Sequence, residues 1–110
     1  MTVAVVIGNP NPGGRTTTVG QAVGHAIAAA RGGDEVITFE LATIASHLFE
    51  WGNDDVNALT EQVAGADVII AACPTYKATY TGLLKAFLDQ YGTDGLAGCQ
   101  AVPVMVGAAP

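Results

Sequence analysis

The apolar positions of this 110-residue chain switch between two spacings. Val3-Ala4-Val5-Val6-Ile7 is a continuous apolar run, as in a strand buried on both faces. From Thr16 to Arg31, apolar residues recur at Val19, Ala22, Val23, Ala26, Ile27 and Ala30, and Gly32-Gly33 then supplies a stop. That is helical spacing. Val36 to Leu41 predicts a second strand, with Thr38 and Glu40 alternating with apolar neighbours as on an edge strand. An ambiguous connector, ATIASHLFEWGN, carries the only tryptophan. Asn53 or Asp54 then caps a short helix with Val56, Leu59 and Val63 on one face, closed by Gly65. DVIIAAC is a third buried strand. YTGLLKAFLDQYG predicts a helix with Leu84, Phe87, Leu88 and Tyr91 on one face and Lys85/Asp89 as an i,i+4 pair. AVPVMVG is the fourth strand.

The order β-α-β-α-β-α-β, with strands apolar throughout, predicts a parallel sheet covered on both faces. Right-handed crossovers leave few topologies. The expectation is one domain over residues 1–110: a doubly wound α/β fold in three layers, α/β/α, with the flavodoxin-like strand order 2-1-3-4. In such sheets ligands bind beyond the carboxyl ends of the strands, where the winding reverses. The loops to read are therefore Gly8–Thr18, Cys73–Thr81 and Gly107 onward. The chain stops directly after strand four, where a further helix and often a fifth strand are expected. The sequence thus reads as truncated there, or as leaving strand four an edge that an oligomer partner covers. Pro103 is tolerable on such an edge.

Composition narrows the function classes. Half the residues are hydrophobic and the mean hydropathy is +0.38, so a core is plentiful and disorder is not expected. The formal charge is -6 with four Lys and Arg together. Nucleic acid and anionic membrane surfaces are thereby disfavoured as partners, because both need clustered cations. No apolar run approaches the roughly 20 residues of a spanning helix, and no signal peptide is evident at the N-terminus. Cys73 and Cys99 form no C-x-x-C or zinc pattern and read as reduced thiols of a cytoplasmic protein. No metal site is expected.

The first loop, GNPNPGGRTTTVG, lies between a strand end and a helix start, where unpaired N–H groups and the helix dipole favour an anion. Arg15 adds the one positive charge, Thr16, Thr17 and Thr18 add hydroxyls, and Gly13-Gly14 allows close backbone approach. Neither G-x-x-x-x-G-K-[ST] nor G-x-G-x-x-G is present, which excludes a P-loop and disfavours a dinucleotide turn. The composition suits a terminal phosphate monoester; an ordinary turn with threonine capping is the plainer alternative. In the second loop, Pro74 ends strand three and places Thr75, Tyr76 and Lys77 at the same edge. A proline turn with Tyr76 packed and Lys77 solvated is the plainer reading there.

With these residues in view, the chain resembles the NAD(P)H-dependent FMN reductases of flavodoxin-like fold, the alkanesulfonate type in particular. Gly8-Asn9-Pro10-Asn11 with Arg15-Thr16-Thr17-Thr18 is similar to that family's phosphate loop. Pro74-Thr75-Tyr76-Lys77-Ala78-Thr79-Tyr80-Thr81-Gly82-Leu83-Leu84-Lys85 is similar to its flavin-side motif, and VPVMVGAAP to its fourth strand and following loop. Asn9, Asn11 and Gly14 depart from the family's usual Ser, Arg and Ser. The resemblance implies FMN bound with Asn9, Asn11, Arg15, Thr16, Thr17 and Thr18 around its phosphate. It implies Pro74, Thr75, Tyr76 and Lys77 along the ribityl chain and ring, and Gly107 at a third contact.

The activity implied is hydride transfer from NADPH or NADH to flavin N5, with reduced flavin passed to an acceptor or a partner monooxygenase. A homodimer or homotetramer is implied as well. No side chain need act as acid or base, so no catalytic residue is assigned. Other flavin-dependent reductases (quinone, azo-dye or metal-ion) stay open, as do a flavodoxin-type electron carrier and a flavin-free interaction domain. His25 reads as solvated. His47 reads as connector or pocket rim, Cys73 as a buried thiol or a flavin contact, and Asp54-Asp55 as a helix-start charge pair.

Overall fold

The computed structural model describes residues 1–108. Four strands, β1 (Thr2–Ile7), β2 (Glu35–Glu40), β3 (Val68–Pro74) and β4 (Gln100–Val106), form one parallel sheet in the order β2-β1-β3-β4. The doubly wound α/β expectation and its strand order hold. β1 and β3 are central and almost wholly buried. β2 and β4 are the edges, and their burial alternates as one solvated side requires.

One face of the sheet packs α1 (Arg15–Ala30) over Val3, Val5, Ile7, Val68, Ile70 and Ala72. The other packs a 3₁₀ segment (Leu41–His47), α2 (Asp54–Ala64) and α3 (Gly82–Leu88) over Ala4, Val6, Ile69 and Cys73. Phe87 is the largest wholly buried side chain on that side and meets Tyr91 edge-on at 5.6 Å. Tyr91 donates to the Thr60 carbonyl at 2.8 Å, and burial pushes its phenol up from the ordinary value.

Two helices depart from the sequence pattern. On α1, Ala22, Ala26 and Ala30 are exposed. The buried line is Gly20, Gly24 and Ala28, with Val23 and Ile27 flanking it. Glycine is needed there because the helix sits directly on the sheet. A Cβ on Gly24 would lie 2.6 Å from Val5 Cγ2, and one on Gly20 would lie 2.9 Å from Ile7 Cδ1. The third helix is shorter than predicted. Thr81 is its N-cap and Asp89 its C-cap, so Tyr80 and Tyr91 fall outside it. α2 begins as expected: Asn53 Oδ1 accepts from the N–H groups of Asp55 and Val56.

Pro74 does not end the ladder. It is the last residue of β3 and still pairs with Val106 of β4, and Thr75 N–H donates to the Val106 carbonyl at 3.0 Å. What stops at Ala72 is the pairing with β1, because there the chain of β1 turns off into the first loop.

Candidate flavin site

The reversal of winding lies between β1 and β3, and both loops leave the sheet there. Gly8 N–H donates to the Ala72 carbonyl at 2.7 Å, joining the two strand ends. Thr81 fastens them to α3: its wholly buried hydroxyl donates to the Gly8 carbonyl at 2.7 Å and accepts from Leu84 N–H at 3.2 Å. Gly8 must be glycine, because a Cβ there would lie 2.8 Å from Leu84 Cβ.

Beyond Gly8 the first loop is organised from inside by Asn9. Its side-chain oxygen accepts from Asn11 N–H at 3.0 Å, and its amide nitrogen donates to Thr16 Oγ1 at 3.2 Å. Thr16 therefore uses its oxygen as an acceptor and keeps its hydroxyl proton for another partner. No side chain caps α1: Gly14 stands at the N-cap, and the first turn contains no acid. The first N–H groups of this 16-residue helix have no intrahelical partners. Arg15 is exposed and carries no ion pair among the described residues. Asn9, Arg15 and Thr16 line a cleft of about 250 Å³ with Pro74, Val106, Gly107 and Ala108.

Not every residue suggested by the sequence enters this cleft. Thr17 is turned to the opposite side, where its hydroxyl donates to a carboxylate oxygen of Glu40 at the end of β2. The Thr17 hydroxyl is thereby engaged, and Thr17 does not line the cleft. The other Glu40 oxygen accepts from Gly13 N–H at 3.1 Å, and Gly13 has a φ of 72°. Glu40 thus pins the outer half of the loop from 27 residues away. Its position at a strand end was visible in the sequence; its reach into the loop was not. Thr18 turns its hydroxyl back to the Gly14 carbonyl, and Asn11 is exposed. Neither lines the cleft.

Thr75, Tyr76 and Lys77 are all exposed and lie outside the cleft lining. Tyr76 and Thr79 exchange two backbone hydrogen bonds of 3.0 Å, closing a two-residue hairpin over Lys77 and Ala78. Both central residues have positive φ, 52° and 64°. Such mirror-image turns ordinarily take Asn-Gly, because side chains disfavour the left-handed region. Ala78→Gly is accordingly expected to stabilise the fold by about 0.5–1 kcal/mol. Chemical denaturation reads this as a raised midpoint at unchanged slope.

Cys73, Cys99 and His47 do not line the cleft. Cys73 is fully buried with its Sγ 3.5 Å from Met105 Sδ, and Cys99 faces the Ala66 carbonyl at 3.2 Å. His47 Nδ1 pairs with Glu50 at 2.8 Å, away from the cleft, and this contact lowers the Glu50 carboxyl below its ordinary value. Among the described residues, no three His, Cys, Asp or Glu side chains are placed to hold a metal ion, and no helix is long and apolar enough to cross a membrane. A larger groove of about 390 Å³ lies between β2 and α2, lined by Ile37, Phe39, Glu61 and Gln62 among others. It contains none of the loop residues. Of the third loop, Gly107 and Ala108 line the cleft, and Ala109 and Pro110 lie outside the described residues.

FMN reductase (NADPH) of Escherichia coli (strain K12) is 37% identical over 76 residues, which is 66% of this chain and 40% of that protein. A solved NADH:FMN oxidoreductase in its apo form superposes with a TM-score of 0.83 at 29% identity, over 99% of this chain and 59% of its own. An oxidoreductase from Corynebacterium diphtheriae gives 0.76 at 27% identity, over 94% and 62%. The chain thus spans less than two thirds of the length of each relative. The family described as NADPH-dependent FMN reductase matches residues 1–110 throughout, and the chain belongs to that family.

Proposed function

We propose that the protein takes part in NAD(P)H-dependent reduction of FMN, with the first loop holding the flavin phosphate. The observation that carries this reading is the set of unused donors around one cleft. The uncapped α1 N-terminus, the free Thr16 hydroxyl proton, the second proton of the Asn9 amide and the Arg15 guanidinium all belong to its lining segments. Helix N-termini with such donors suit phosphate. A cleft of about 250 Å³ is smaller than the roughly 300–1,000 Å³ of a whole small-molecule site, so it fits the phosphate end of the nucleotide.

FMN, when bound, supplies the hydride-accepting chemistry; this chain's residues bind and orient it. Asn9 and Thr16 fix the anion's place, Arg15 neutralises it from the solvent side, and Glu40 keeps the loop's outer half closed. Pro74 and Gly107 also line this cleft, and the Tyr76 hairpin follows Pro74 in the chain. Likeness to an FMN reductase (NADPH) and to an NADH:FMN oxidoreductase supports the reaction class.

A homo-oligomer, transfer of reduced flavin to a monooxygenase, and a cytoplasmic setting complete the reading. Two free thiols support the last. The first is supported by the apolar groove of about 320 Å³ between α3 and β4, where Leu88, Pro103 and Met105 are exposed.

Nicotinamide oxidation measured with and without added FMN tests the proposal. Flavin-dependent turnover is expected, and its absence with either reductant overturns the assignment. Arg15→Ala should weaken FMN about ten- to hundredfold, since a charge-assisted hydrogen bond is worth roughly 1.5–3 kcal/mol. Riboflavin, which lacks the phosphate, should be unaffected. An equal loss for both ligands in flavin-fluorescence titrations would mean that Arg15 does not touch the phosphate.

A further inference from the structure

The four basic side chains of this acidic chain divide into two pairs. Arg31 is held by Asp34 at 2.5 Å and Lys85 by Asp89 at 2.5 Å. In both pairs the carboxylate's hydrogen bond raises the cation above its ordinary pKa. Arg15 and Lys77 have no carboxylate partner among the described residues, and Lys77 makes no side-chain hydrogen bond there. Arg15 opens α1 and Lys77 stands on the loop after β3, both beyond the carboxyl edge of the sheet. With ten acids in the chain, leaving two cations unpaired at one edge concentrates its positive potential where anionic ligands arrive.

The two cations do not share a pocket. Arg15 lines the cleft with Asn9 and Thr16, and Lys77 does not. Lys77 stands on the hairpin clamped by the Tyr76–Thr79 hydrogen bonds, in a left-handed conformation at φ 52° that a lysine adopts at a cost. Strained backbone held by its surroundings is concentrated at ligand-binding sites. This strained turn carries its unpaired cation three residues beyond Pro74, which lines the cleft.

We infer that Lys77 is the contact for a phosphate of the pyridine dinucleotide, separate from the flavin phosphate at Arg15. The inference rests on the proposed reductase reading. That reading requires two phosphate-bearing ligands at this edge, and the cleft at Arg15 accommodates one of them. An ammonium on a flexible stem acts as a point charge, which suits either the 2′-phosphate of NADP or the pyrophosphate common to NADP and NAD.

The test is calorimetric binding of FMN, NADP⁺ and NAD⁺ to the purified protein and to Lys77→Ala and Lys77→Arg, at low ionic strength because an exposed contact is screened by salt. The exposed side chain makes loss of folding by these variants unexpected, and circular dichroism checks it. Lys77→Ala is expected to weaken NADP⁺ about tenfold, with Lys77→Arg restoring most of it; FMN should lose less, and an equal loss of FMN overturns the inference. Loss for NADP⁺ alone assigns the 2′-phosphate; equal loss for NADP⁺ and NAD⁺ assigns the pyrophosphate. Unchanged dinucleotide binding, or a loss confined to FMN, overturns the inference and leaves the reductase reading standing. An unsubstituted protein that binds no FMN overturns both.

Discussion

Thr81→Val is expected to destabilise the protein by about 2–6 kcal/mol, because two buried backbone groups lose their partners at about 1–3 kcal/mol each. Valine nearly matches threonine in volume, so little of the loss comes from packing. The Gly8 carbonyl and the Leu84 N–H both depend on the one Thr81 hydroxyl, which is inaccessible to water. Thr81→Ser keeps both bonds and should lose only about 0.8 kcal/mol for the methyl group. Urea denaturation of the pair checks this. A valine variant as stable as the serine one would mean that the link between the first loop and α3 contributes nothing.

Gly24→Val should cost about 3 kcal/mol or more, at or beyond the upper end of ordinary overpacking. The first added carbon already falls 2.6 Å from Val5 Cγ2, on a fully buried residue of the central strand β1. A β-branched Val5 has few rotamers with which to yield. The helix must instead lift from the sheet, opening the contacts of Val23 and Ile27 below it. Ala26→Val on the exposed side of the same helix is the control, and should cost only about 0.5 kcal/mol of helix propensity. Similar losses at the two positions would contradict the close approach.

Those two sites also show where the sequence was legible. Central strands announce themselves because burial on both faces demands unbroken apolar runs, as in Val3–Ile7 and Val68–Cys73. From such runs and the intervening helical spacings, handedness narrowed the topologies to a few, and the flavodoxin-like order expected among them is the observed β2-β1-β3-β4. The face of α1 did not follow, because hydrophobic periodicity gives no weight to glycine. Gly20 and Gly24 make the nearest contacts, while three alanines counted as apolar face solvent.

The site divides in the same way. Asn9, Arg15, Thr16, Pro74 and Gly107 converge because strand ends at a winding reversal must be neighbours. Glu40 was hidden, since nothing local in a strand-end acid reveals a partner 27 residues back. The Tyr76 hairpin was hidden too: Lys-Ala is not a turn sequence, and only the observed φ values expose it. The exposed Trp51 and Phe49 in the connector gave no sequence signal of their exposure.

The most direct measurement is a parallel titration of the unsubstituted protein with FMN and riboflavin, followed by flavin fluorescence. The two ligands share the ring and ribityl chain and differ in the phosphate that Asn9, Arg15, Thr16 and the α1 N-terminus are proposed to hold. The account predicts that FMN binds at least about tenfold more tightly, with the preference shrinking as salt rises. Equal affinity for FMN and riboflavin at low salt would contradict it.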